Sequence, residues 1–171
     1  TVAAMLARDL NCPQTSSMGR LFDAAAGLLR VNTIQSHEAQ AAIQLQQFAE
    51  QHGETGALMD GYRISADNQL NFLPLLSALI DYRDAGHDAA YGAALFHATL
   101  IAGLAAWIES AAKQHNIAHV ALGGGCFHNA ILRHGLIHRL TASSLKIFHA
   151  RQMLPDDSAI ALGQAWVALQ H

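Results

Sequence analysis

The segment VALGGGCFHN spans Val120 to Asn129 and joins an apolar run to a helical pattern through three consecutive glycines. Glycine loses more chain entropy on folding than any other residue, so bare backbone at successive positions indicates a turn or a close approach by another group. The preceding residues IAHVAL predict a strand, and residues 130–140 predict a helix. This segment therefore predicts a strand-to-helix turn in an α/β fold.

The rest of the chain predicts a helix-rich α/β protein whose C-terminal segment is βαβα. The residues LKIFHA predict a second strand, and a final helix follows from Ser158 to Leu169. Three helices and a hairpin are predicted in the first half: a helix in TVAAMLARDL, a helix within 16–31 capped by Ser16 or Ser17, a helix from Ser36 that ends at Gly53, and a hairpin within 62–72 that turns at Asp67-Asn68. A short helix then follows from Pro74 to about Arg83. Asp88 caps a long helix that ends near His115-Asn116. No repeat or linker divides residues 1–171, which predicts a single unit, and the start without methionine suggests a piece of a larger protein.

Composition excludes several classes of function. Among 171 residues, 51% are hydrophobic and 13% charged, which suffices for a packed core and excludes disorder. A net charge of −3 without a dense Lys/Arg cluster argues against nucleic-acid or anionic-membrane partners. The two cysteines are far apart, which favours a reducing compartment, by default the cytoplasm. Polar residues interrupt the apolar stretch 89–112, so no membrane segment is expected.

The glycine turn has two interpretations on its residues alone. A strand-to-helix turn at the carboxyl edge of a sheet directs free N–H groups outward, which suits a phosphate, and glycine removes the Cβ atoms that would hold the phosphate away. However, GGGCFHN contains neither the GK[ST] of a Walker loop nor a GxGxxG fingerprint. A tight turn without a ligand is therefore equally open.

Four carboxylates are candidate site residues. Asp156 and Asp157 precede the last helix at the same sheet edge as the glycines; helix capping explains one of them, and the other could face a metal or a ribose. Asp23 lies in a predicted helix whose other residues are mostly apolar, and Glu38 lies near the start of the next predicted helix. A solvated side chain and a first-turn charge explain these two acids as well.

Histidine and cysteine give weaker signals. His134 and His138 have the i, i+4 spacing of a zinc pair but no third ligand, so exposed histidines are the simpler interpretation. Cys126 is near a helix start without a partner base, which favours a small apolar residue, and His97 lies among apolar residues as a core histidine would.

Five segments in fixed order carry a resemblance to a known family. The chain contains NCPQTSSMGRLFDAAAGLL, SHEAQAA, LFHATL, LGGGCFHN and LPDDSAIALGQAWVAL. Together they closely resemble the C-terminal end of the HypF carbamoyltransferases of NiFe-hydrogenase maturation, over essentially the whole chain. The family patterns are approximately N-P-x-T-S-S-x-G-R-L-F-D, Y-E-G-Q-A-A, F-H, S-G-G-V-F-Q-N and N-D-G-G-I-A-L-G-Q. The chain departs from them at His37, Ala39, Gly123, His128, Ser158 and Ala159.

This resemblance implies the second half of a domain with the actin/hexokinase/Hsp70-like ATPase superfold, of the type found in tRNA threonylcarbamoyl-transfer enzymes. In the family, upstream acylphosphatase, zinc-finger and YrdC-like domains convert carbamoyl phosphate and ATP into carbamoyl-adenylate, and structural zinc belongs to those domains. The last domain passes the carbamoyl group to the C-terminal cysteine of HypE. The implied partners are therefore HypE and the upstream domains, and we expect the isolated chain to be inactive and to self-associate or bind nucleotide weakly.

The resemblance also implies roles for individual residues. Gly124, Gly125 and Asn129 match the S-G-G-V-F-Q-N block and would contact the nucleotide phosphate of ATP or carbamoyl-adenylate and its surroundings. Asp23 and Glu38, by their matches to L-F-D and Y-E-G-Q, would flank the ribose or adenine.

The expected metal ligand is Asp157, which matches the aspartate of N-D-G-G and would reach a divalent ion, Mg or Fe/Zn, bridging to the phosphate. The family's histidine-rich metal motif belongs to the first half of the domain, so Asp157 would be this chain's only ligand. The alternative function is a non-catalytic docking or packing module of the same larger protein, in which the glycine turn is structural.

Overall fold

The computed structural model describes residues 2–170 and confirms a helix-rich α/β chain with a C-terminal βαβα segment. Short 3-10 turns lie at Gly125–His128 and Asp157–Ala159. The elements are α1 (Val2–Ala7), α2 (Met18–Leu28), α3 (Gln40–His52), β1 (Arg63–Ile64), β2 (Leu70–Asn71), α4 (Leu73–Asp84), α5 (Ala89–His115), β3 (His119–Leu122), α6 (Ala130–Ala142), β4 (Lys146–His149) and α7 (Ile160–Ala168).

Two small sheets organise the strands. β1 and β2 form the expected antiparallel hairpin, with Asn68 in the left-handed conformation at its turn. β3 and β4 pair in parallel, with α6 as the connection between them, and Leu122 at the end of β3 lies opposite His149 at the end of β4. The glycine turn and the loop after β4 therefore leave from the same sheet edge, where ligands of α/β folds bind.

Helix α5 is the centre of the core. Asp88 caps it by accepting a hydrogen bond from the Ala90 amide at 3.1 Å, as its sequence predicts. Its many alanines and glycines let α2, α3, α4 and α6 approach closely; a Cβ added at Gly103 would lie 2.7 Å from the ring of Phe72. The helix is long and apolar enough to cross a membrane, but most of it is buried inside the protein, which is typical of a core helix.

The buried side chains form two hydrophobic clusters. The larger one joins α5 to the helices before it and includes Phe22, Leu45 and Phe96. The smaller one lies between α6 and the parallel sheet and includes Leu122 and Leu136. Phe127 of the glycine turn packs partly buried against both clusters. The side chain of Phe127 therefore anchors the glycine turn to the hydrophobic core.

The start of α3 differs from the prediction. The sequence predicts a helix from Ser36, but α3 begins at Gln40, because Ala39 has the left-handed φ of 60° that interrupts a right-handed helix. The Gln40 side chain accepts hydrogen bonds from the amide and hydroxyl of Ser36, at 2.7 and 3.0 Å. Residues 36–39 thus form a turn held by the first helical residue.

The last helix also begins later than predicted and stays outside the core. The predicted start at Ser158 is a 3-10 turn, and α7 proper begins at Ile160. Leu162, Trp166 and Leu169 are exposed by 57%, 66% and 80% of their surface. This helix therefore presents an apolar face that the rest of residues 2–170 does not bury.

We predict that Ala39→Gly raises the free energy of unfolding by about 0.5–1 kcal/mol, because relief of the left-handed strain of alanine exceeds the added entropy of the unfolded chain. Urea denaturation measures the change. Ala42→Gly within α3 is the matched control and should destabilise by about 1 kcal/mol, since its backbone is helical. Equal destabilisation by both variants would contradict the left-handed conformation at Ala39.

Candidate functional site

The backbone of the glycine turn is fixed by its middle glycine. Gly124 has φ 106° and ψ 155°, a combination that only glycine adopts readily. Its N–H donates to the carbonyl of Pro155 at 2.5 Å, and its carbonyl accepts from the Phe127 amide at 3.0 Å. The turn is thereby linked to the loop after β4.

The glycines on either side have no such requirement. Gly123 and Gly125 are exposed, neither has a positive φ, and a Cβ at either would meet no atom within 4 Å. Within residues 2–170, the N–H groups of Gly125 and Cys126 have no hydrogen-bond acceptor. The fold of residues 2–170 therefore explains one glycine of three and leaves two backbone donors without a protein acceptor.

Asn129 supports the turn from within the core. It is 8% exposed; its Oδ1 accepts from the Leu132 amide at 2.9 Å, which caps α6, and its Nδ2 lies 2.9 Å from Nε2 of His97. The oxygen and the nitrogen of the Asn129 side-chain amide are therefore both hydrogen-bonded to protein groups. His97 is a buried, hydrogen-bonded core histidine, as its apolar surroundings predict.

The structure distinguishes the two adjacent aspartates. Asp156 is the cap: it accepts from the Ser158 amide at 3.0 Å and hydroxyl at 2.5 Å, and it pairs with Nε2 of His128 at 2.7 Å. Asp157 is exposed, and its carboxylate has no hydrogen bond or ion pair within residues 2–170, although its backbone carbonyl accepts from the Ile160 amide. The carboxylate available to a ligand is therefore that of Asp157.

Hydrogen bonds from Ser158 and His128 lower the pKa of Asp156 to about 2. A carboxyl whose pKa falls on folding stabilises the fold above its unfolded pKa and loses that contribution as the pH falls through the folded value. The stabilising contribution of the Asp156 carboxylate is therefore complete above the ordinary aspartate pKa of 3.8 and is lost as the pH falls through about 2.

Asp23 lies near the turn. Burial and the neighbouring Asp23 carboxylate raise the pKa of the Cys126 thiol. Cys126 is therefore a protonated thiol at neutral pH and not an activated nucleophile. The Oδ2 atom of Asp23 is shielded from solvent and pairs with the Arg20 guanidinium at 2.9 Å, without the alignment of a hydrogen bond.

Glu38 makes no contact with Asp23, the glycine turn or the two adjacent aspartates. It is exposed in the turn before α3 and makes no hydrogen bond or ion pair within the described part of the chain. The structure thus brings Asp23 near the glycine turn and the Asp156-Asp157 pair to its edge, but it shows no contact of Glu38 with either.

A cavity of about 520 Å³ opens beside the turn, between α6 and the loop after β4. The residues that line it include His128, Arg133, His149, Arg151 and Pro155. Arg133 also donates to the Phe127 carbonyl at 3.2 Å. Cationic and imidazole groups around a concave site favour an anionic ligand.

Comparison with known proteins identifies the family. A family model described as "Carbamoyltransferase, Kae1-like Domain, second subdomain" matches residues 1–164. The chain belongs to the HypF carbamoyltransferase family. Carbamoyltransferase HypF2 of Cupriavidus necator is 45% identical over 195 residues, which cover 99% of this chain and 24% of that protein. A second protein of that organism, described as a carbamoyltransferase HypF homolog, is 46% identical, with 98% and 44% covered.

Solved HypF structures have the same fold. The crystal structure of full-length HypF in the phosphate- and nucleotide-bound form superimposes with a TM-score of 0.84 at 29% identity, covering 96% of this chain and 22% of that one. The structure of T. kodakarensis HypF gives a TM-score of 0.76 at 24% identity. The resemblance of the five sequence segments is therefore confirmed, and the chain spans less than half the length of the HypF relatives described above.

Sequence reasoning did not find the pairs that hold the HypF glycine turn in place. The partners His128 and Asp156 are separated by 28 positions, and His97 and Asn129 by 32. No local spacing signals such contacts. In the sequence, these contacts were indicated only by the position of His128 within the turn and by the predicted pair of parallel strands.

We predict that Gly124→Ala lowers the free energy of unfolding by about 2 kcal/mol, because alanine cannot adopt the Gly124 backbone conformation without strain. Urea denaturation gives the change, and Gly125→Ala is the matched control. The control should alter stability by less than about 0.5 kcal/mol, since its Cβ meets no neighbour. A neutral Gly124→Ala would show that the turn has another backbone conformation.

Proposed function

We propose that the chain forms the second half of a carbamoyl-transfer domain that binds ATP or carbamoyl-adenylate. The carbamoyl group then passes to the C-terminal cysteine of HypE during NiFe-hydrogenase maturation in the cytoplasm. Membership in the HypF family supports this proposal. The observation that carries it is the pair of amides at Gly125 and Cys126, which have no acceptor within residues 2–170, together with Gly123 and Gly125, whose conformations do not require glycine.

The turn would bind the nucleotide phosphate. Backbone N–H groups without a protein acceptor suit phosphate oxygens, and the absence of a Cβ at Gly125 lets an anion approach the backbone. Gly124 would hold the shape of the turn through its bond to Pro155, and Asn129 would fix its far end by capping α6. Asp23, near Cys126, and Glu38 would flank the ribose or adenine.

Asp157 would be this chain's ligand for a divalent metal, Mg or Fe/Zn. Oxygen donors of this kind suit Mg²⁺, and Asp157 is exposed without a competing partner within residues 2–170. Those residues contain no group of three or more possible ligands, so the remaining ligands would come from elsewhere in the longer protein. When bound, the metal would polarise the carbamoyl carbonyl and offset phosphate charge.

The chemistry needs no protein nucleophile. Adenylate is a good leaving group, so the site has mainly to hold its phosphate and align the incoming HypE thiolate. The raised pKa of Cys126 agrees with this, because a protonated thiol does not compete with the substrate thiolate.

A non-catalytic packing module is the second candidate, and the apolar face of α7 favours it. Ile160, Leu162 and Trp166 expose more than half of their surface, which suits a face covered by HypE or by other domains of the same protein. The same face leads us to expect self-association of the isolated chain. Nucleotide binding at the turn separates the two functions.

We predict that Gly125→Ala in the full-length protein weakens ADP binding by about tenfold or more, because a Cβ would hold the phosphate away from the Gly125 and Cys126 amides. Isothermal titration calorimetry with ADP and Mg²⁺ measures the affinity. Because this variant is expected to keep the stability of the turn, unchanged affinity would contradict phosphate binding at the Gly125 and Cys126 amides and would favour the packing module.

We also predict that Asp157→Asn weakens ADP binding about tenfold in the presence of Mg²⁺ and leaves the metal-free affinity unchanged, because the amide is a poorer Mg²⁺ ligand than the carboxylate. Asp81→Asn on the exposed face of α4 is the matched control and should change neither affinity. An equal loss with and without Mg²⁺ would exclude the metal role.

A further inference from the structure

A buried chain of hydrogen bonds joins α5 to the start of α6. His97 is 1% exposed on α5, and its Nδ1 lies 2.8 Å from the carbonyl oxygen of Ala93. Its Nε2 lies 2.9 Å from Nδ2 of Asn129, whose Oδ1 accepts from the Leu132 amide. Every polar atom of the His97 ring therefore has one defined partner.

These partners fix the protonation of His97. A carbonyl oxygen can only accept, so Nδ1 carries a hydrogen and donates it to Ala93. The Asn129 Nδ2 group can only donate, so Nε2 must be the unprotonated acceptor. Burial lowers the pKa of His97, which also favours this neutral form. The imidazole is thus held as one tautomer, and it determines which way the Asn129 amide faces.

The orientation of Asn129 controls the far end of the glycine turn. With Nδ2 held by His97, Oδ1 faces the Leu132 amide and caps α6. The Asn129 backbone amide donates to the Cys126 carbonyl at 3.1 Å, which closes the 3-10 turn that begins at Gly125. If the side-chain amide turned over, its oxygen would face the Nε2 lone pair and its NH2 would face the Leu132 N–H. Both contacts would be repulsive.

His97 also contacts the helix that carries Asp23. The centroid of its ring lies 5.6 Å from that of Phe22 and 5.4 Å from that of Phe96, in edge-to-face contacts. Phe22 precedes Asp23 in α2. One imidazole therefore bridges the helix with a candidate ribose-binding carboxylate and the turn with the candidate phosphate-binding amides.

We propose that His97 is a positioning residue for the nucleotide site: its neutral Nε2 orients Asn129 and thereby sets the direction of the Gly125 and Cys126 amides. This inference rests on the proposed function, in which those amides bind phosphate. A core histidine that contributed packing alone would be replaceable by an aromatic ring of similar size. The proposal requires the Nε2 acceptor itself.

The first test compares two substitutions in the full-length protein. His97→Gln can place an amide oxygen towards Asn129 and an NH2 group towards Ala93, so it should keep ADP affinity within about threefold. His97→Phe keeps the aromatic contacts but leaves the buried Asn129 NH2 without an acceptor, and should weaken ADP binding by about tenfold. His138→Phe, at an exposed position of α6, is the control and should bind ADP as the wild type does.

The second test measures the tautomer directly and does not depend on nucleotide. Nitrogen-15 NMR of labelled histidine should show His97 protonated at Nδ1 and unprotonated at Nε2, and amide hydrogen exchange over residues 123–129 should be faster in His97→Phe than in wild type. A wild-type ring protonated at Nε2 would overturn the proposal. If His97→Phe fails to fold, the wild-type tautomer and the ADP affinity of His97→Gln still test the proposal: protonation at Nε2, or a tenfold loss of affinity in His97→Gln, would overturn it.

The outcomes separate this inference from the proposed function. If the wild type binds no ADP, the proposed function fails, while the tautomer still tests the link from His97 to Asn129. If the wild type binds ADP and His97→Phe binds it equally well, the positioning role is wrong. Equal weakening by His97→Gln and His97→Phe would likewise refute it, because the acceptor would then have no effect.

Discussion

The hydrogen bond from the Gly124 amide to the Pro155 carbonyl sets the geometry of the candidate site. Parallel pairing of β3 and β4 brings two loops to one sheet edge, but pairing alone does not fix how those loops lie against each other. The 2.5 Å bond does so, and it requires a backbone conformation that side chains exclude. The contact between His128 and Asp156 reinforces it a few residues away. Gly124 therefore determines the relative positions of the glycine turn and of the loop that carries Asp156 and Asp157.

Elements with strong local signals were predictable from the sequence. The Asp88 cap, the Gly53 stop, the hairpin turn and the βαβα order all follow from short patterns, and the structure confirms them. The start of α3 was not predictable, because a left-handed alanine depends on contacts beyond its own window. The HypF family pattern Y-E-G-Q has glycine at the position of Ala39. The resemblance therefore indicates a left-handed residue there, which helix propensity does not.

The site was predictable only in part, since its residues come from distant positions. The glycine turn and the paired aspartates were identified from their place at strand ends. Which aspartate caps the helix was not, because adjacent carboxylates have equal capping ability until the backbone is known. The structure resolves this by pairing Asp156 with His128, leaving Asp157 exposed. The buried contact of His97 with Asn129 had no sequence signal beyond the apolar surroundings of the histidine.

The parallel ladder of β3 and β4 has a consequence for handling the chain. Within residues 2–170 it contains two strands of four residues each, whereas parallel sheets ordinarily contain more and are covered on both faces. Each strand therefore has an outer edge of backbone donors and acceptors that can template a foreign strand. Recombinant production of residues 1–171 by themselves should therefore favour edge-to-edge aggregation, which a charged residue introduced on either outer edge would suppress.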